Sequence, residues 1–221
     1  MKLPKAAGAI DVTKPPYSAD PTGKRDCSEA FQKAFTAAAT RNPGIYTKKE
    51  RAVQIVYLPA GTYRVSKPLV FTTNQIEQKR ESRASRDITL GQYISGHMML
   101  IGESKENTRI ILTDNASEFQ GTPTPLLRFL ERSRTNTEYF NWIMDLTIDV
   151  GKGNPAAIGA EFVSSNIGGL RNIHFICNDN MKPSAMGLDL RKGTGGLSYL
   201  HHIKIEGFQV GVQVGGYSQA M

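Results

Sequence analysis

Two strand motifs recur in step along the last third of this chain, and their common period constrains the fold more than any other feature. One motif reads Asp145-Leu-Thr-Ile-Asp149, then Asn172-Ile-His-Phe-Ile176, then His202-Ile-Lys-Ile-Glu206, with starts 27 and 30 residues apart. The other reads Ile158-Gly-Ala-Glu-Phe162, Met186-Gly-Leu-Asp-Leu190 and Val210-Gly-Val-Gln-Val214, with starts 28 and 24 apart. Two independent motifs advancing together are the mark of stacked layers, each burying its apolar face against its neighbours. Successive side chains of a strand point to opposite faces, so the pattern also assigns sides. Leu146, Ile148, Ile173, Phe175, Ile203 and Ile205 are expected to point inward, as are Ile158, Ala160, Phe162, Met186, Leu188, Leu190, Val210, Val212 and Val214. The opposite choice would bury Asp, His, Lys and Glu, at a desolvation cost that unpartnered charges cannot meet.

Upstream, Val56-Tyr57-Leu58-Pro59-Ala60-Gly61-Thr62-Tyr63 reads as a strand that turns a corner and resumes. Proline removes a ladder donor and glycine opens conformations closed to other residues. Strands are expected at Val53–Leu58, Tyr63–Val65, Leu69–Thr72, Met98–Ile101, Arg109–Thr113 and Leu126–Leu130. Residues 1–16, ending at Pro15-Pro16, read as an extended lead-in. Asp20-Pro-Thr-Gly-Lys-Arg-Asp26 is a structural turn, because it lacks the glycine and lysine spacing of a phosphate loop and precedes the first strong strand. Asp26 or Ser28 can then cap a helix to about Ala39, with Ala30, Phe31, Ala34, Phe35 and Ala38 as its apolar face.

An Asp-Pro-Thr-Gly turn, a helix and a strand ending in Leu-Pro-Ala-Gly-Thr-Tyr resemble the N-terminal entry of the pectate-lyase-like superfamily. Asp149-Val-Gly-Lys-Gly-Asn-Pro-Ala-Ala-Ile-Gly159, followed by Gly168-Gly-Leu-Arg-Asn-Ile173, is similar to the middle coils of large bacterial proteins of that superfamily. The resemblance implies an all-β solenoid, a right-handed single-stranded parallel β-helix whose N-terminal α-helix caps the open end. It implies a polysaccharide partner, and a protein that is secreted or displayed at the cell surface. Residues 17–221 would then be the N-terminal part of a β-helix that continues further, since a core strand stands close to Met221. The implied activities are glycoside hydrolysis or polysaccharide elimination in a surface groove. The alternative is a non-catalytic glycan-binding or tailspike-like shaft.

Composition narrows the partners. The net charge is +7, which suits an acidic polysaccharide. Part of that excess lies in Lys79, Arg80, Arg83 and Arg86, within a run from Asn74 to Asp87 that reads as a solvated loop. A nucleic-acid role would rest on charge alone, without a recognised module. No apolar run approaches the roughly 20 residues of a membrane span, and the first ten residues are too short and broken for a signal peptide. Cys27 and Cys177 are too few for a disulfide framework or a zinc site and read as small core residues.

The chemistry is sought on the outward positions of the repeats. If the first motif is one flat strand face, its columns are Asp145, Asn172 and His202, then Thr147, His174 and Lys204, then Asp149, Ile176 and Glu206. Rungs about 4.8 Å apart make His174 and Lys204 lateral neighbours. His174, His202, Lys204 and Asp145 are the expected catalytic set, with a histidine moving the proton and Lys204 holding a carboxylate or a developing charge. The bland alternative is a solvated or loop-covered face. In the second motif Glu161 and Asp189 stack one rung apart, near the roughly 5–5.5 Å carboxyl separation of a retaining glycosidase. A bare strip of Gly159, Gly187 and Gly211 beside them would admit a sugar ring. Trp142, with Tyr139, offers a stacking platform, so Glu161, Asp189 and Trp142 are the expected substrate-binding residues. No metal ligand set is read. Calcium would enter only through a lyase activity, and the clustered acids of pectate lyases and the paired aspartates of polygalacturonases are both missing from the pattern.

Overall fold

The computed structural model describes residues 8–41, 54–71, 98–129, 140–164, 167–180, 183–191, 197–215 and 219–220. Its elements run β1 (Ile10–Asp11), β2 (Thr22–Asp26), α1 (Ser28–Arg41), β3 (Gln54–Leu58), β4 (Gly61–Val65), β5 (Leu69–Phe71), β6 (Met98–Gly102) and β7 (Thr108–Leu112). They continue with β8 (Thr124–Phe129), β9 (Trp142–Asp149), β10 (Ala157–Glu161), β11 (Ile167–Ile176), β12 (Met186–Leu190), β13 (Leu197–Glu206), β14 (Val210–Val214) and β15 (Gln219–Ala220). Every strand pair is parallel. The basic run from Asn74 to Asp87 and Tyr139 lie outside the described residues. Among the described residues no helix is long and apolar enough to cross a membrane.

The strands form two sheets. The larger follows β1-β3-β6-β9-β11-β13-β15, with β2-β4-β7 joining at β9; the smaller follows β14-β12-β10-β8-β5. From β9 onward the chain alternates between them, one strand in each per rung, as the repeat spacing requires. Between the sheets lies the core, where like side chains stack rung on rung. Phe71, Phe129 and Phe162 follow one another at ring separations of 5.6 and 5.5 Å. The expected inward residues of β9 to β12 are all buried, and Ile203 and Ile205 pack against the core. Val210, Val212 and Val214 keep register with Met186, Leu188 and Leu190. They are nevertheless 40, 39 and 50% exposed, because β14 is the edge of its sheet.

Helix α1 buries Phe31, Ala34, Phe35 and Ala38 of the face read from its period, and Ala30 is partly buried against the core. Phe31 meets Tyr63 edge-on at 5.6 Å and Phe35 meets Phe71 at 6.4 Å, so the helix covers the first rung. Asp26 supplies its cap, accepting the Ser28 amide at 2.8 Å. The turn before it centres on Asp20, which accepts from the Thr22 amide, the Thr22 hydroxyl and the Arg25 amide. Thr22–Asp26, expected as part of that turn, is instead a strand on β4. The lead-in contributes β1, with Ile10 paired to Val56.

Two expectations about faces are corrected. Asp145, Asn172 and His202 are not pleats of a flat strand: each has a left-handed backbone, at φ of 57°, 56° and 53°. The first arm of β9 extends β6, through Met99 to Trp142 and Ile101 to Met144, while its second arm extends β7, through Arg109 to Thr147. Asp145 is therefore a one-residue corner, and Asn172 and His202 repeat it on the next two rungs. The glycine strip is the second correction. A Cβ on Gly159 would lie 2.7 Å from the Phe175 ring, and one on Gly187 would collide with the Ile205 side chain. Gly159 and Gly187 face side chains of the opposite sheet, so no sugar ring can approach there, while Gly211 on the edge strand has open space around it.

Candidate functional site

Beyond the corner, the second arms of the larger sheet carry an outward column. Arg109 pairs with Thr147, Thr147 with His174, and His174 with Lys204. The neighbouring column joins Ile111, Asp149, Ile176 and Glu206. Over this face hangs the connection from β6 to β7, whose Lys105 carbonyl accepts the Thr147 hydroxyl at 2.7 Å. The overhang and the strands enclose a concavity of about 250 Å³ lined by Lys105, Glu106, Arg109, Thr147, His174 and Ile176.

Electrostatics orders the side chains along it. His174 Nε2 lies 2.6 Å from Glu206 Oε2, and Lys204 Nζ lies 2.9 Å from Glu206 Oε1. Lys204 first, then His174, hold the Glu206 carboxyl below its ordinary value, so it is an anion wherever the imidazole needs orienting. With the imidazole proton on Nε2 facing that anion, Nδ1 is the basic nitrogen. Arg109 pairs with the buried Asp149, whose carboxylate also accepts the Gly151 amide at 2.8 Å. Asp149 is thus committed to holding Arg109 at the mouth of the concavity.

The expected set divides accordingly. His174 and Lys204 come together, joined by Glu206 and Arg109, which were not singled out in the sequence. Glu206 stood in the third column, and its link to His174 depends on side chains reaching diagonally across adjacent rungs. Asp145 lies at the corner, accepting Asn172 Nδ2 at 2.9 Å and pairing with Arg171 at 3.3 Å. His202 is exposed at the same corner two rungs on, with its ring 3.8 Å from that of His201. Neither shares the arm that carries His174, because the left-handed residue redirects the chain.

Glu161 and Asp189 are register partners, as the spacing required. Both are buried, and each has an arginine: Arg128 Nε is 3.3 Å from Glu161 Oε1, and Arg191 Nη2 is 2.7 Å from Asp189 Oδ2. Stacked, neutralised and out of solvent, they read as a structural charge ladder. Trp142 stands on the first arm, across the corner from His174.

Calcium demands six to eight oxygen ligands. The site's carboxylates are already engaged by cations, and among the described residues no three His, Cys, Asp or Glu side chains converge as ligands. The residues present do not fit a calcium centre.

Three solved structures similar to this chain are each much longer than it. The ORF18 protein of Geobacillus virus E2 matches at 19% identity and a TM-score of 0.55, over 87% of this chain and 30% of its own. The surface adhesin PfbA of Streptococcus pneumoniae matches at 17% and 0.54, over 89% and 38%. The catalytic unit of the GH87 α-1,3-glucanase of Streptomyces thermodiastaticus strain HF3-3 matches at 15% and 0.50, over 96% and 34%. The chain thus spans about a third of the length of each. No curated protein matches it. The family model described as rhamnogalacturonase A/epimerase, pectate lyase-like, matches residues 12–221, and the chain belongs to that family.

Proposed function

We propose that this chain is a segment of a right-handed, single-stranded parallel β-helix that binds an acidic polysaccharide and abstracts a proton beside its carboxylate. Handedness follows from the strong rule for parallel crossovers. The observation that carries the chemistry is the His174–Glu206 contact at 2.6 Å beside a concavity bearing Lys105 and Arg109. Glu206 orients the imidazole, and His174 Nδ1 takes the proton from the uronate carbon next to the carboxyl group. Lys105 and Arg109 hold the carboxylate as charge builds on it. The electron pair left behind either expels the glycosidic oxygen, giving an unsaturated uronide, or recaptures a proton from the other side, giving the epimer. Such a partner is met outside the cytoplasm, so the reading implies a secreted or surface protein.

The pairing of Arg109 with Asp149 and of Lys204 with Glu206 favours one second reading, a static glycan-binding shaft. The test uses the full-length protein and its His174→Ala and Lys204→Ala variants on polygalacturonate, alginate and rhamnogalacturonan, following unsaturated uronide and reducing ends separately. His174→Ala should lower turnover by roughly 10²–10⁴-fold, the range of a lost general base. Unchanged turnover in the double variant overturns the assignment. Binding without product favours the shaft.

A further inference from the structure

A second feature of the same sheet lies across the corner and takes no part in the proton chemistry above. Trp142, Gly169 and Tyr199 are register partners on three successive rungs. Gly169 has no room for a side chain, since a Cβ there would collide with the Tyr199 carbonyl oxygen. Trp142 and Tyr199 are therefore two rungs, about 9.6 Å, apart at the backbone, with no side chain between them. Their rings close that gap to a centroid separation of 6.4 Å. The His201 ring stacks on Tyr199 at 5.6 Å and an interplanar angle of 18°, and His202 adjoins His201 at 3.8 Å. Behind these residues Ile143, Leu170 and Leu200 face the core, so the rings stand on the outer surface of a rigid sheet. Tyr199 is 49% exposed.

We infer that Trp142, Tyr199 and His201 form a stacking platform for one pyranose ring of a hexuronate-containing glycan, separate from the His174 concavity. The near-parallel Tyr199 and His201 rings, with Trp142 inclined to Tyr199 by 59°, offer fixed apolar faces to the weakly polar C–H face of a sugar. Charge selects the acidic sugar through Arg171, the register partner of His201, whose guanidinium is half exposed beside its 3.3 Å pairing with Asp145. Asp145, the acid at this border, is already bonded to Asn172 and Arg171. The inference does not rest on the proton-abstraction reading and survives its failure.

Trp142 is the single tryptophan of these 221 residues, and comparison with a Trp142→Phe variant isolates its emission in the full-length protein. Pentamers of galacturonate and of mannuronate, with cellopentaose as the neutral comparison, are titrated into the protein while that emission is followed. The expected result is a saturable change with the acidic pentamers. Tyr199→Ala should weaken it by roughly 3- to 10-fold, the worth of one aromatic partner, and His174→Ala should leave it in place. No change in emission up to millimolar pentamer, or an affinity indifferent to Tyr199→Ala, overturns the platform. A response to cellopentaose as strong as to the uronates overturns the assignment to acidic glycans. Loss of the response in His174→Ala would return the binding to the concavity and overturn the claim of a separate site.

Discussion

The rungs turn their outer corner in two ways. Between β3 and β4 the chain uses Pro59 and Ala60, and between β6 and β7 it uses Glu103 to Asn107, a longer turn in which Thr108 N donates to Ser104 O at 2.9 Å. From β9 onward the corner shrinks to one left-handed residue, Asp145, then Asn172, then His202. The first long corner is braced by the second, Glu103 accepting the Ala60 amide at 3.2 Å, and from outside by the Asp20 turn, whose Pro21 O accepts the Thr62 amide at 2.8 Å. The short ones are braced by each other, through Asn172 to Asp145. The candidate site stands where one kind gives way to the other. Only a long corner can overhang the next rung, and Lys105 of the last long corner roofs the concavity whose floor begins at Thr147 of the first short one.

Gly102 is the point of transition, and the largest effect is expected there. It follows Ile101, the partner of Met144, so it lies in register with the Asp145 corner. A Cβ at 102 would collide with the Asp145 carbonyl oxygen and press on the Leu146 side chain. The nearest atom is backbone, so relief requires the corner itself to move. Gly102→Ala should cost about 3 kcal/mol, the upper range for an overpacked core site, read from the urea midpoint at constant slope. A loss under about 0.5 kcal/mol, the level of an ordinary surface change, would mean that the two corner types are not in contact.

The next test separates the two components of a short corner. Asn172→Gly removes the hydrogen bond to Asp145 but keeps the left-handed backbone free of strain. Asn172→Ala removes the bond and adds a Cβ penalty of roughly 1–2 kcal/mol in that conformation. We expect losses of about 1 kcal/mol for glycine and about 2 kcal/mol for alanine, since a hydrogen bond to a charged group is worth somewhat over 1 kcal/mol when partly solvated. Equal losses would show that the bond alone matters and that the left-handed backbone is incidental.

These corners also explain what the sequence disclosed. Leu-Pro-Ala-Gly announces its turn, because proline and glycine have few other uses inside a strand. Asp145, Asn172 and His202 announce nothing: each is an ordinary outward polar residue in an alternating strand, and the left-handed tolerance of Asp and Asn is too weak a signal to read alone. The inward residues were legible for the same reason that the corner was not. Ile173 and Phe175 alternate correctly on the second arm whichever way the first arm points. His174 beside Lys204 followed from register alone. Glu206 did not, because its bond to His174 depends on side-chain reach, which periodicity leaves open. The glycines at 159 and 187 were misread because a strand pattern alone does not reveal how closely the opposite sheet approaches; Phe175 and Ile205 fill the space their Cβ atoms would need.

The smallest expected effect concerns the outer brace of the first corner. Asp20 holds the turn whose Pro21 backs Gly61, where a Cβ would come within 2.5 Å of the proline ring. The Thr22 hydroxyl, and after it the Thr22 amide, draw the Asp20 carboxyl down from 3.8 to about 2. Because the folded value is the lower one, the carboxylate contributes stability that is complete above the unfolded value. That contribution fades as pH falls from about 4 toward about 2. Asp20→Asn should therefore lower stability at neutral pH and flatten its fall across that acid window, measured by urea unfolding at stepped pH. An Asp20→Asn curve parallel to wild type through the window would show that the turn does not brace the long corner through its charge.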